Sequence, residues 1–265
     1  MTKHTQSIEA FTALGQLFRD YSLRNKRKDD WIENIDNEIV NASNQNKWFT
    51  KNNLNFCISV WGQTLNKKDI SEWLDAYPEP VKSARLALVL AGNIPLVGLH
   101  DVICGLASGC NIEVKLSSNA SLMLPLVVDF LISVMPDWQA KVFFTDGKLA
   151  TYDKVIATGS NNTARYFEYY FKKKPHIIRK TRNGVAVLDG NETHEDLVAL
   201  CQDMMQYFGL GCRSVSHLMV PENYDFNNMF LALYDYKEII QHNAYANNYD
   251  YNKAVYLMQE QELLE

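Results

Sequence analysis

The feature that most restricts the fold of this 265-residue chain is a series of short apolar runs that alternate with helical patterns. The first run begins at Arg85 and ends in glycine at Gly92, which is typical of a buried parallel strand. Further runs follow at Ile112–Lys115, Lys141–Phe144, Lys154–Ala157, His176–Lys180, Val185–Leu188 and Val215–Val220. Strands that alternate with helices predict an α/β fold with a parallel, doubly wound sheet.

The chain before the first strand is predicted to be helical. Apolar residues such as Ile8, Phe11 and Leu14 recur at a spacing of three to four, and the prolines at 78 and 80 are expected to end the pattern. We therefore expect an N-terminal helical segment at 1–82, an α/β domain at 83–192 and a further segment at 193–265. The asparagine-rich stretch at 243–252 is predicted to be a loop.

Composition and charge exclude several classes of protein. Apolar residues make up 47% of the chain and charged residues 22%, as in ordinary soluble enzymes. A net charge of -5, with both signs scattered, argues against non-specific nucleic-acid binding. The apolar runs are too short for a membrane span, and the N-terminus lacks the apolar core of a signal peptide. Five cysteines without CxxC spacing predict free thiols in a reducing cytoplasm and no metal site.

The first candidate for chemistry is Cys212, in Gly209-Leu-Gly-Cys-Arg. Glycines permit a sharp bend beside the thiol, and a cysteine on such a turn is open to substrate and to backbone N–H donors. The alternative is a helix end at which a small cysteine has no role.

Three more candidates lie where predicted strands end. Gly159 and Ser160 separate a strand from a helix, and a helix N-terminus can bind phosphate; simple helix capping explains the same residues. Asn93 follows the first strand at the edge where open α/β sheets bind ligands, and its amide could donate to an oxyanion. The simpler explanation is that Asn93 is only a turn residue. Lys115 ends the next strand and is either a ligand contact or a solvated lysine.

Taken in order, four segments resemble the aldehyde dehydrogenase superfamily, and more closely its acyl-CoA reductase (LuxC-like) family. They are AGNIPLVGLHD, EVKLSS, VIATGSNNTARYFEYYF and YFGLGCRSVSHLMVP. The resemblance implies a dinucleotide-binding domain at 83–192 and the first part of a catalytic domain at 193–265. Family members continue beyond the length seen here, so we expect a truncated catalytic domain. Homo-oligomers are implied by analogy.

The resemblance also assigns roles to the candidates. Cys212 matches the catalytic cysteine, and Asn93 matches the asparagine of the oxyanion hole. Lys115 matches the lysine that holds the cofactor's adenosine ribose, while Gly159 and Ser160 match the Gly-Ser pair of the nucleotide-binding turn. The implied reaction transfers an acyl group from acyl-CoA or an acyl-carrier thioester to cysteine and reduces it to a fatty aldehyde.

Two departures from the superfamily pattern refine this expectation. Relatives that hydrolyse their thioester have a glutamate where this chain has Arg179–Gly184, which contains no carboxylate, so reduction is favoured over acid formation. The alternative is that Glu192 or Glu195 lies closer in space than in sequence. NAD-preferring relatives often have a glutamate three residues after the lysine. The residue here is Ser118, which leaves room for a 2′-phosphate, so NADPH is expected over NADH.

Two other functions remain open. An acyltransferase or thioesterase would use Cys212 without a nucleotide. An inactive fragment or a non-catalytic subunit would retain the fold alone.

Overall fold

The computed structural model describes residues 2–23, 30–81, 83–117 and 122–260. The strands are β1 (Arg85–Val89), β2 (Asn111–Lys115), β3 (Val142–Phe144), β4 (Lys154–Thr158), β5 (His176–Arg179), β6 (Gly184–Val187) and β7 (Val215–Met219). The α-helices are α1 (Lys3–Ser22), α2 (Asp30–Gln45), α3 (Lys51–Thr64), α4 (Lys67–Asp75), α5 (Leu99–Ala107), α6 (Met123–Val134), α7 (Asn161–Phe171), α8 (His194–Met205), α9 (Asn227–Leu233) and α10 (Asn243–Met258). Within the described ranges, no helix is long and apolar enough to cross a membrane.

The chain divides into two compact units, Met1–Thr181 and Arg182–Glu265. The first contains a five-stranded parallel sheet in the order β3-β2-β1-β4-β5. This is the strand order of doubly wound dinucleotide-binding sheets, as the alternating runs predict. The central strands are apolar on both faces, which buries Leu88, Ile112 and Val155 almost completely.

The N-terminal helices belong to this first unit. The apolar face of α1, with Phe11, Leu14 and Phe18, is fully buried. Phe11 also packs on Trp138, which follows α6, with ring centroids 5.6 Å apart. The helical prediction for this part is confirmed, and these helices belong to the same compact unit as the sheet.

The second unit contains the parallel pair β6 and β7 together with α8, α9 and α10. Its core includes Leu197, Cys201, Met229 and Ala232, all nearly inaccessible. The unit begins at Arg182, because β6 pairs with β7 and so belongs with the later elements.

The prediction of a loop at 243–252 is wrong, since α10 covers this stretch. Its N-cap is His242, whose Nδ1 accepts from the Tyr245 backbone N–H at 3.3 Å. Within the helix, the Asn252 amide donates to the Asn248 carbonyl at 2.7 Å. Because α10 has no buried residues, it lacks the apolar stripe by which helices are identified from sequence.

Candidate active site

In the second unit, Cys212 lies on a turn between α8 and β7. After α8 the backbone is left-handed at Tyr207, Phe208 and Gly209, with φ of 54°, 59° and 71°. The turn itself is closed by the Ser214 N–H, which donates to the Gly211 carbonyl at 3.0 Å. Left-handed backbone costs non-glycine residues about 1–2 kcal/mol each, so surrounding contacts must hold this segment.

Contacts with neighbouring elements hold this segment. The Phe208 ring lies on the His242 ring at the start of α10, with centroids 4.5 Å apart. On the other side, the Gly184 N–H at the start of β6 donates to the Ser214 carbonyl at 2.9 Å. A Cβ on Gly184 would lie only 2.8 Å from the Arg213 carbonyl oxygen, so only glycine allows β6 to approach the turn this closely.

Accessibility separates Cys212 from the other thiols. The five cysteines all lie in described ranges and are all free. Cys212 is exposed, whereas Cys57, Cys110 and Cys201 are buried, and Cys104 is intermediate. Burial raises the pKa of the Cys201 thiol, with a smaller contribution from the charge of Asp235. A substrate in solution therefore reaches Cys212 most readily, and buried thiols are inert.

In the first unit, the nucleotide-site candidates come together at the carboxyl edge of the sheet. Val89, at the end of β1, pairs with Lys115 on one side and with Ala157 on the other. Two strand spacings of about 4.8 Å therefore separate the backbones of Lys115 and Ala157. Gly159 follows β4 at this edge, and Asn93 lies four residues beyond the end of β1. The Lys115 ammonium donates to the Gly147 carbonyl at 2.7 Å.

The N-terminus of α7 begins directly at this edge. The Ser160 hydroxyl caps the helix, since its oxygen accepts from the Thr163 N–H at 3.2 Å. A Cβ on Gly159 would lie 3.0 Å from the Phe167 ring and 3.1 Å from Thr163, so this glycine lets the helix pack tightly against the strand end. The positive end of the helix dipole at this edge, with a lysine two strands away, fits a nucleotide phosphate and ribose.

The predicted site residues are thus divided between the units. Asn93, Lys115, Gly159 and Ser160 belong to the first, and Cys212 belongs to the second. Ser118, the predicted determinant of cofactor choice, lies outside the described residues. Within the described residues, no cluster of three or more His, Cys, Asp or Glu side chains could hold a metal ion.

The sequence did not reveal an ion pair at this edge of the sheet. Arg179, at the end of β5, donates from Nη1 to both carboxylate oxygens of Asp101, at 2.6 and 2.7 Å. The Asp101 side chain is 4% exposed. Burial opposes its ionisation, but hydrogen bonds from His100 and Arg179 outweigh that effect, so its pKa lies below the usual value. An aspartate inside the apolar pattern of α5 was the only sequence signal.

Comparison with known proteins gives matches among solved structures. No protein-family model matches the chain, and no curated protein matches it. An NAD-dependent benzaldehyde dehydrogenase from Corynebacterium glutamicum is 13% identical over 88% of this chain and 53% of its own, with a TM-score of 0.62. The aldehyde dehydrogenase KauB from Pseudomonas aeruginosa is 14% identical, and the match covers 88% of this chain and 50% of KauB, with a TM-score of 0.60. An aldehyde dehydrogenase from Bacillus cereus in complex with NAD+ is 16% identical, and the match covers 88% of this chain and 50% of that enzyme, with a TM-score of 0.55.

At these identities the similarity establishes the fold. The chain has an aldehyde-dehydrogenase-like α/β fold, and the predicted fold class is confirmed. It spans about half the length of the structures that it matches.

Proposed function

We propose that this chain is an aldehyde-forming oxidoreductase of the aldehyde dehydrogenase superfamily, and specifically an acyl-CoA reductase that acts through a cysteine thioester. The observation that supports the proposal most strongly is an aldehyde dehydrogenase fold in which the exposed thiol, Cys212, lies on a turn fixed by the neighbouring strand. The four sequence segments that resemble acyl-CoA reductases support the choice of reaction.

In the proposed reaction, the Cys212 thiolate attacks the carbonyl carbon of an acyl thioester, from CoA or a carrier protein. Asn93 and the Cys212 backbone N–H donate to the oxyanion that forms. The C–S bond to the leaving thiol then breaks, which leaves the acyl group on Cys212. Losing one oxyanion donor typically lowers the rate about 100- to 1,000-fold, which is the effect expected for Asn93→Ala.

The proposed cofactor is a nicotinamide dinucleotide, with NADPH preferred. Lys115 would contact the adenosine ribose and its phosphate, and the Gly159–Ser160 turn with the α7 N-terminus would hold the pyrophosphate. When bound, the cofactor supplies the hydride that reduces the Cys212 thioester. Collapse of the resulting thiohemiacetal releases the aldehyde and returns the Cys212 thiolate.

Reduction is preferred over hydrolysis because Arg179–Gly184 offers no carboxylate to activate water. Arg179 itself is engaged in an ion pair with the buried Asp101. Without a carboxylate that activates water, a thioester on Cys212 would be hydrolysed slowly and would persist long enough to be reduced.

The second candidate is an acyltransferase or thioesterase. It is favoured by the same exposed thiol, since acyl transfer from CoA needs Cys212 and no nucleotide.

The test is aldehyde formation from a long-chain acyl-CoA, measured by gas chromatography with NADPH or NADH. The proposal predicts aldehyde with the unchanged protein, none with Cys212→Ala, and unchanged turnover with Cys104→Ala as the matched cysteine control. Aldehyde from Cys212→Ala would rule out the mechanism. Acyl transfer or hydrolysis that is indifferent to nucleotide would favour the second candidate, and equal turnover with low NADH would rule out the NADPH preference.

A further inference from the structure

A second thiol, Cys104, has a histidine beside it. Cys104 and His100 lie one turn apart on α5, and Cys104 Sγ is 3.7 Å from His100 Nε2. The His100 side chain is 66% exposed, and Cys104 is partly accessible. The pair therefore meets solvent, unlike the thiols of Cys57, Cys110 and Cys201.

The imidazole is positioned by a buried carboxylate. His100 Nδ1 lies 3.6 Å from Asp101 Oδ1. Asp101 is in turn fixed by Arg179 from β5, through two contacts of 2.6 and 2.7 Å. Thiol, imidazole, carboxylate and guanidinium thus form one continuous chain from the surface of α5 to the end of a sheet strand.

The positive charge of His100 favours nucleophilic attack by the Cys104 sulfur. Contact with Asp101, and then with Cys104, raises the pKa of His100 to about 10, so the ring is protonated at neutral pH. A protonated imidazole stabilises the negative charge that develops on sulfur as it attacks, and it can give its proton to a leaving group. Nucleophile, acid–base group and orienting carboxylate are the parts from which activated cysteines are built.

We propose that Cys104, assisted by His100, is an oxidation site that reacts with hydroperoxides, independently of the proposed reductase activity. The Cys104 sulfur attacks one oxygen of hydrogen peroxide, and an S–O bond forms as the O–O bond breaks. Sulfur is oxidised to sulfenic acid and the peroxide is reduced. The departing hydroxide takes the proton held by His100 and leaves as water, and the proton of the Cys104 thiol passes to His100 in its place. The balance is one thiol and one peroxide to one sulfenic acid and one water.

The test treats the full chain with hydrogen peroxide in the presence of dimedone and follows each cysteine peptide by mass spectrometry. Cys104 should be labelled faster than Cys57, Cys110 and Cys201. His100→Gln should slow the labelling of Cys104 by at least about tenfold and leave the labelling of Cys212 unchanged. His194→Gln, which replaces an exposed histidine in the other unit, is the matched control and should have no effect.

Two results would overturn the proposal. One is labelling of Cys104 no faster than that of buried Cys110. The other is an unchanged Cys104 rate in His100→Gln, which would mean that the imidazole has no part in the reaction. Because His100 is largely exposed, its substitution is expected to leave the fold intact, and circular dichroism checks this.

Discussion

Asp101 is a buried charged residue in a largely apolar helix, and the chain tolerates it because each carboxylate oxygen has a cationic partner. Its side chain is 4% exposed, and Arg179 contacts both oxygens. A buried carboxylate without such partners would be strongly destabilising. The pair joins α5 to the last strand of the sheet, 78 residues further along the chain.

Replacing Arg179 by glutamine should lower the free energy of unfolding by about 1–3 kcal/mol at pH 7. The loss is smaller than for a fully buried pair because the guanidinium is 41% exposed and is screened by water. The pKa of Asp101 in the folded protein lies below its value of about 3.9 in the unfolded chain. The ion pair therefore stabilises the fold fully above pH of about 4, and this stabilisation is lost as the pH falls through the folded-state pKa. The difference between the two proteins should therefore shrink towards pH 3.

Urea unfolding at pH 7 and at pH 3 measures this difference. Arg179→Lys, which keeps the positive charge, should recover most of the loss and serves as the control. A difference of the same size at both pH values would contradict the assignment, since it would not depend on the ionisation of Asp101.

At the scale of single residues, the sequence predicts sites that depend on local pattern. Cys212 among glycines, and Gly159-Ser160 between a strand and a helix, are visible in a few consecutive letters, and the structure places Cys212 on an exposed turn and Ser160 at a helix N-cap. The pair Asp101–Arg179 depends on the sheet order, which brings distant positions together. No local pattern could predict it.

At the scale of elements, α7 shows how one residue can have two separable roles. Ser160 caps the helix through the Thr163 N–H, and it is also proposed to lie near a cofactor phosphate. Capping requires only that the side chain accept a hydrogen bond, so a charged acceptor serves as well as a neutral one. Phosphate binding at the same position would be weakened by a negatively charged side chain.

Two substitutions separate these roles. Ser160→Ala should lower the free energy of unfolding by about 0.5–2 kcal/mol through loss of the cap. Ser160→Asp should keep the stability, because aspartate is an equally good cap, but should weaken NADPH binding through charge repulsion. Urea unfolding and fluorescence titration with NADPH measure the two effects. Undiminished NADPH affinity in Ser160→Asp would place the phosphate elsewhere.

Elements with a buried apolar face were predicted well, and elements without one were not. Helix α7 begins directly after Ser160, as the capping explanation of that residue predicts. In α8, Thr193 and Asp196 form a reciprocal capping box at the N-terminus. By contrast, α10 has no buried residue, and its Asn-Tyr sequence resembles a loop. The boundary at Arg182 also depends on the pairing of β6 with β7, two strands that lie far apart in the sequence, so neighbouring residues do not reveal it.

At the scale of the whole molecule, a ligand that binds only the folded state must stabilise it. NADPH at about 100 times its dissociation constant should add about 2.7 kcal/mol to the free energy of unfolding. Lys115→Ala should reduce this increment, whereas Lys173→Ala, at an exposed lysine beyond α7, should not. Thermal unfolding with and without NADPH measures the increment. No increment, or one that Lys115→Ala leaves intact, would contradict the proposed cofactor site.

The central claim is that Cys212 forms an acyl thioester that NADPH reduces. The most direct measurement is intact-protein and peptide mass spectrometry after incubation with a long-chain acyl-CoA, followed by addition of NADPH. We expect an acyl adduct on the Cys212 peptide that disappears on addition of NADPH as aldehyde is released. An adduct that persists with NADPH, or acylation at a cysteine other than Cys212, would contradict it.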